Sequence, residues 1–354
     1  MATLVQAIRM ALHVGEERLG VTDIFGEDIG PPLGGAFTQT QGLKTAWNSP
    51  LDERGIIGTA IGLALAGQRP VCEIQFCDYI YNTIDLLKIA GNTHWASNGD
   101  WNVPMVCMTP VGSGIRGSIY HSHSFDATAT HIPGWKVVMP SNPADAYGLL
   151  LSAIIDPNPV MYLAPKALLR VKSAPGERIP GEPDDDKVLS KAIDAPLGDR
   201  TQWTPQWPAL EEMFVPLGKA KISRPGKDLT IVSYGRTLPM SVRAANTVSK
   251  EHGIEAEVID LRSLAPYDWD AIKTSVTKTN RVLFVNEETE ITNFGEHLLR
   301  RTVEELFYHL HAPPRLLAGA HIPGIGLADA LERASVPQEE NIVQAIVSMA
   351  RHEP

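Results

Sequence analysis

The chain has 354 residues, 44% of them hydrophobic and 20% charged, which suits a globular protein of two domains with a sizeable core. A formal net charge of -10 speaks against nucleic acid and against an anionic membrane surface as partners, and fits solubility or docking on a basic partner. Three cysteines, Cys72, Cys77 and Cys107, are too few for a disulfide framework and lack zinc-site spacing, so a reducing compartment is expected.

Residues 1–14 read as a helix with Leu4, Ile8, Ala11 and Leu12 on one face, without the apolar core or cleavage site of a signal peptide. Residues 21–25 form a short strand that enters a polar, glycine-bounded loop, Gly26-Glu27-Asp28-Ile29-Gly30. Helix and strand signals then alternate: helix 53–67, strand 71–76, helix 82–96, strands 104–109 and 136–139, helix 143–155, strand 160–163. Continuous apolar strands between helices predict an α/β fold with a mainly parallel sheet covered on both faces. The apolar run 56–66 is too short to cross a bilayer, and its Gly58-xxx-Gly62 spacing predicts close helix packing inside a domain or a dimer. Residues 110–134 form a long glycine-rich connection with three histidines, at a strand end where open α/β sheets bind ligands.

From 173 to 215 the composition turns proline-rich and acidic, with Asp184-Asp185-Asp186, Trp203 and Trp207. This reads as a linker carrying an insertion, a solvated loop more than an arm that packs on a partner subunit. A second run of alternating strands and helices begins near 216: strand 229–234, helix 238–252, strand 255–261, helix 269–278, strand 282–286, helix 294–310, strand 315–318 and helix 342–350. The expected domains are therefore 1–172 and 216–354, each built on a parallel sheet and joined by 173–215.

Several residues stand where chemistry is expected. Glu53 precedes a glycine-punctuated apolar helix, a position the helix dipole alone favours for a carboxylate. Tyr79 follows the next strand, and Gln75 adjoins it. A carboxylate and an aromatic ring at the edges of one helix–strand unit suit a flat heteroaromatic ring: the first bonds a ring nitrogen and the second stacks on the face. His121 and His123 lie at alternate positions in Tyr120-His121-Ser122-His123-Ser124, and no third residue completes a metal site with them. Asp156-Pro157-Asn158-Pro159 reads as a turn with hard oxygen ligands.

The stretch SPLDERGIIGTAIGLALAGQRPVCEIQFCDY, from Ser49 to Tyr79, resembles the beta subunits of the thiamine-diphosphate-dependent decarboxylating component of 2-oxoacid dehydrogenases. The likeness continues, in order, through YHSHS, HIPGWKVVMPSNPADAYGLL, AIIDPNPV, APKALLR and EVIDLRSLAPYD, covering most of the chain outside about 173–214. The resemblance implies a transketolase-like fold, an N-terminal pyrimidine-binding domain and a transketolase-C-like second domain. It implies that Glu53 activates the cofactor, that Tyr79 stacks on the aminopyrimidine with Leu51 and Gln75 nearby, and that Glu27 lies at the pyrimidine end. It implies that His121 faces the active site, and that Met105, Ala153, Ile154, Asp156 and Asn158 hold a potassium ion, partly through backbone carbonyls. It further implies an alpha subunit in an α2β2 heterotetramer to hold the diphosphate and Mg2+, a small 2-oxo acid as substrate with a branched chain favoured, and a lipoyl acyltransferase core as acceptor. Pyruvate or acetoin dehydrogenase, a split transketolase-like system, or a non-catalytic subunit are the alternatives. A bacterial cytoplasm is expected, or a mitochondrial matrix for a eukaryotic chain.

The sequence departs from the family pattern in places. His123 replaces the usual glutamine, Asn48-Ser49 an Asp-Thr pair, and Ala164 a glutamate; the segment between Gly42 and Pro50 is short, and 319–333 lacks a DTP-type motif. His131 is expected to anchor its loop.

Overall fold

The structure, a computed structural model, describes residues 1–196, 200–207, 211 and 213–352. The chain forms two compact units, Met1–Val111 with Ala129–Leu217, and Gly112–Thr128 with Gly218–Pro354. The histidine loop thus groups with the second unit.

Along the first part of the chain run α1 (Leu4–Arg18), β1 (Asp23–Gly26), β2 (Ala46–Asn48), α2 (Glu53–Leu65), β3 (Pro70–Glu73), α3 (Ile84–Ala96), β4 (Val106–Val111), α4 (Asp126–Thr130), β5 (Lys136–Val138), α5 (Pro143–Ile155), β6 (Val160–Pro165) and α6 (Asp186–Ile193). The strands of the first unit lie in the order β5-β6-β4-β3-β1-β2, all parallel. Cys72 and Cys107 are register partners on β3 and β4 and are buried, as their apolar runs predict; Cys77 is buried as well, and none of the three forms a disulfide. Strand β3 ends three residues sooner than expected, because the chain turns at Phe76 into a 3₁₀ helix, Cys77–Thr83.

Helix α1 opens with a capping box between Thr3 and Gln6. It is buried far beyond the single face its periodicity predicts, with α5 on one side and the proline-rich segment on another. That segment corrects the expectation of a solvated loop. Ile179, Leu189, Ile193 and Trp207 join the same core as α1 and α5. Buried Arg9 donates to the carbonyls of Thr38 and Ile193, and burial lowers its pKa to about 10, which leaves it charged at neutral pH. Trp203 stands edge-on to His13 with ring centroids 5.2 Å apart. Its ring also fills the space beside Gly42, where a Cβ would fall 2.5 Å from Cε3.

The second unit continues with β7 (Lys221–Arg224), β8 (Leu229–Ser233), α7 (Thr237–His252), β9 (Ala256–Asp260), β10 (Ser263–Ala265), α8 (Trp269–Thr279), β11 (Val282–Thr289), α9 (Phe294–Leu306), β12 (Arg315–Gly319), α10 (Asp329–Ser335) and α11 (Glu339–Ala350). Its sheet runs β12-β11-β8-β9-β7 and is parallel except for β7, an antiparallel edge strand that alternating strand and helix signals do not predict. Leu229, Ile231, Val258 and Val285 from the strands meet Ala244, Val248 and Ile346 from α7 and α11 in one core. No helix among the described residues is long and apolar enough to cross a membrane.

Candidate active site

Glu53 is the first residue of α2, after an extended Asp52. Its Oε2 accepts a hydrogen bond from Asn82 Nδ2 at 3.1 Å, and its Oε1 receives none among the described residues. Glu27 follows β1, and its Oε1 is buried without a donor. Burial pushes the Glu27 carboxyl above its usual range, and the charges of Glu53 and Asp28 push the same way. Tyr79 lies edge-on to Phe76, with centroids 5.9 Å apart. Burial raises its phenol, and Asp78, Glu27 and Glu53 add to the shift. These electrostatic links put Glu27, Glu53 and Tyr79 in one neighbourhood. Gln75 reaches it through a bond to the Asp28 carboxylate, and Leu51, 81% exposed, stands two residues before Glu53.

Sequence reasoning passed over Glu73. It ends β3, is 4% exposed and accepts from Gln39 Nε2. Burial raises its pKa to about 8; the Gln39 bond opposes the shift, and Asp28 and Glu27 reinforce it. Glu73 is therefore mostly protonated at neutral pH. A signal for it existed, since one acid interrupts the apolar strand Val71-Cys72-Glu73-Ile74. Nothing local marks Gln39, which a long loop brings in. Asn48 also gains a role: its Oδ1 accepts from Gly30 N at 2.6 Å, and its Nδ2 donates to Pro31 O at 3.3 Å, tying down the end of the Glu27 loop.

In the second unit, residues 112–128 hold His121, whose Nδ1 lies 3.1 Å from Gly117 O. Gly112 has φ +85°, and a Cβ there would lie 2.1 Å from Glu287 Oε1. Ser113 Oγ donates to Glu287 at 2.7 Å, and Arg116 N donates to Glu332 at 2.8 Å. Arg116, Ser118 and Phe125 all have left-handed backbones, so the loop keeps a defined path at some conformational cost. His123 Nε2 is 3.6 Å from Glu288 Oε1. His131 is exposed and does not serve as the expected anchor. That job falls to Gly134, where a Cβ would meet Gly91 O at 1.9 Å, and to Trp135, whose indole donates to Leu87 O at 2.7 Å.

Comparison with known proteins decides the family. Residues 1–172 match the transketolase pyrimidine binding domain and residues 218–342 the transketolase C-terminal domain. The 2-oxoisovalerate dehydrogenase subunit beta of Pseudomonas aeruginosa is 38% identical, over 91% of this chain and 88% of that one. The chain belongs to the family of 2-oxoacid dehydrogenase beta subunits. The Bacillus subtilis 2-oxoisovalerate dehydrogenase subunit beta is 33% identical over 98% of both chains, and the pyruvate dehydrogenase E1 component subunit beta of Acholeplasma laidlawii 34% over 99% of both. A split-gene transketolase, solved as an inactive beta4 tetramer, shares the fold with a TM-score of 0.72 over the full length of both chains at 17% identity.

In this dehydrogenase beta subunit, the oxygens expected around potassium already face cations or donors. Arg69 donates to the carbonyls of Ile154 and Asp156. Lys136 pairs with the Asp156 carboxylate, whose other oxygen accepts from Asn158 N at 2.9 Å. The Ala153 carbonyl accepts from Asp156 N and the Met105 carbonyl from Val160 N. This donor set is a poor fit for a further monovalent cation, because two fixed positive groups sit on it.

Proposed function

We propose that this beta subunit decarboxylates a 2-oxo acid, a branched-chain one by preference, with thiamine diphosphate at a site completed by an alpha chain in an α2β2 assembly, and passes the acyl group to the lipoyl group of an acyltransferase core. The observation that carries this reading is the unfilled Glu53 Oε1 in the neighbourhood of Tyr79 and the donorless Glu27 Oε1. An aminopyrimidine offers a ring nitrogen, an amino group and a flat face, and those residues offer a carboxyl, a buried acceptor and an aromatic ring. Thiamine diphosphate, when bound, supplies the electron sink for loss of carbon dioxide.

In this reading Glu53 bonds the ring nitrogen through Oε1 and exchanges a proton there, while Asn82 holds its rotamer through Oε2. Tyr79 stacks on the ring. Gln75 forms a polar wall, fixed by Asp28. Leu51 covers the ring edge once the partner chain is in place, and His121 orients the substrate carboxylate. Mg2+ and the diphosphate are assigned to the alpha chain, as the family resemblance implies. The partner itself is supported by a bare helix face: a Cβ on Gly62 would meet nothing within 4 Å, and one on Gly58 only Leu86 Cδ1 at 4.0 Å. Trp95 and Trp101 of the same unit are 90% and 64% exposed, more aromatic surface than a lone chain leaves in water. The cytoplasm or the mitochondrial matrix suits this chemistry.

The test is decarboxylation with a dye acceptor after co-expression with an alpha chain, with and without thiamine diphosphate and Mg2+, comparing 3-methyl-2-oxobutanoate with pyruvate. Cofactor-dependent turnover is expected only with both chains, and faster on the branched substrate. Faster turnover of pyruvate would move the assignment to the pyruvate relatives. A well-formed, cofactor-binding assembly without turnover on either acid would point to a non-catalytic subunit.

A further inference from the structure

Asp126 and Glu288 are neighbours inside the second unit, close enough that the charge of Glu288 acts on Asp126. Asp126 is fully buried at the start of α4, and Glu288 is 4% exposed near the end of β11. Each carboxyl has one oxygen in use: Asp126 Oδ1 accepts from Ala127 N at 2.7 Å, and Glu288 Oε1 accepts from Thr289 N at 2.9 Å and faces His123 Nε2 at 3.6 Å. The other oxygens, Asp126 Oδ2 and Glu288 Oε2, are buried without a hydrogen-bond partner, and so is the Oη of the neighbouring Tyr234. Two adjacent buried acceptors without a donor are costly, and a proton on one of them turns the clash into a hydrogen bond.

We propose that a single proton shared by Asp126 and Glu288 latches residues 112–128 onto the sheet of the second unit, which makes both acids positioning residues for His121; the importance of that positioning rests on the function proposed above. The pair is the fastening at the C-terminal end of the loop. The N-terminal end is held differently, by Glu287 on Ser113 and by Glu332 and Asp329 on Arg116.

Every packed element contributes to the charge balance. Burial raises the phenol of Tyr234, after β8, and the charges of Asp126, Glu288 and Glu287 add to the shift. Glu287, also on β11, adds a like charge and is itself paired with Arg236 at 3.6 Å. His123, on the loop, is the one cation-forming side chain that faces Glu288 directly among the described residues, and His321 lies one step away on Thr289. Burial drives both carboxyls of the pair upward, and the hydrogen bond between them couples the two titrations. The folded state therefore holds a proton that the unfolded chain releases at lower pH. Its contribution is complete in acid and is lost as pH rises through the raised value.

Hydrogen exchange of the full-length chain, followed from acid to the alkaline limit at which the chain stays folded and corrected for the intrinsic chemical rate, reads the latch directly. Protection of amides in 113–127 should fall about tenfold or more over that range, while β8 and β9 stay protected. In Glu288→Gln the amide donates to Asp126 Oδ2 at every pH, so loop protection should stay flat; Asp126→Asn gives the same test should the first variant fold poorly. His123→Gln should keep the pH dependence. A wild-type loop whose protection ignores pH would overturn the latch. So would a flat profile in His123→Gln, which would make the histidine–carboxylate pair the switch, or protection that follows potassium concentration and not pH. Exchange needs no turnover, so an inactive assembly would count against the proposed function and not against the latch.

Discussion

The molecule carries two clusters of acids, and they are neutralised in different ways. In the first unit, Glu53, Asp28 and Glu73 are each met by a side-chain amide, from Asn82, Gln75 and Gln39. In the second, Glu287, Glu288 and Asp126 are met by a guanidinium, an imidazole and one another. Amides satisfy a carboxylate without cancelling its charge, so the first cluster keeps unfilled oxygens on Glu53 and Glu27. Cations and a shared proton cancel charge in place, so the second cluster closes on itself and leaves little for a ligand. An acid cluster served by amides suits binding and proton exchange; one served by cations and protons suits fastening.

The strongest way to break this contrast is Glu53→Gln. The amide keeps the shape and the Asn82 contact but gives up carboxyl proton exchange at Oε1. Turnover of the alpha–beta assembly is expected to fall about 10²–10⁴-fold, the usual loss when a general acid–base is removed, with unchanged circular dichroism. Undiminished dye reduction would remove the open carboxyl from the mechanism. The closed cluster should respond in stability instead. Gly112→Ala forces a side chain into a backbone at φ +85° and against Glu287 Oε1. It should destabilise the second unit by about 1–3 kcal/mol in a denaturant titration; an unshifted midpoint would mean the cluster is looser than its contacts indicate.

The first cluster was partly legible in the sequence, and the acids of the second were not. Glu53 and Tyr79 lie at the edges of one helix–strand unit with strong periodic signals, so their pairing followed once the helix and strand were assigned, while the place of Glu27 was implied only by the family resemblance. Glu288 and Asp126 sit far apart in the chain, and no local pattern joins them. The amides Gln39 and Asn82 were invisible for the same reason. The alternating helices and strands of both units were legible because each carries a continuous apolar run. The packed segment around α6 was not: its prolines and acids read as solvated, while its core contacts come from widely spaced Ile179, Leu189, Ile193 and Trp207.

Glu73 offers a finer test, since it is an acid of the amide-served cluster that nonetheless keeps a proton. Its folded pKa, about 8, lies above the ordinary carboxylate value, so the native state binds an extra proton across the interval between them. That stabilisation is full below the unfolded value and disappears as pH climbs through about 8. Wild-type melting temperature should therefore decline relative to Glu73→Gln between about pH 5 and about pH 9, because the glutamine mimics the protonated acid at every pH. Parallel melting curves across that range would show that Gln39 stabilises an ionised Glu73.

The smallest effect concerns Asp156, an acid satisfied by fixed cations in the first unit. Arg69 and Lys136 occupy the surroundings of the oxygens where the family resemblance implies potassium. If a guanidinium stands in for the ion, exchanging potassium for sodium should leave wild-type melting unchanged. Arg69→Ala exposes the Ile154 and Asp156 carbonyls and should cost about 1 kcal/mol, the net scale of an ordinary intramolecular hydrogen bond. The same variant frees an oxygen cluster beside a carboxylate, so potassium should now raise its melting temperature more than sodium does. A potassium-specific gain already present in the wild type would show that Arg69 and the ion coexist, and that the oxygens around Asp156 accept more positive charge than two side chains bring.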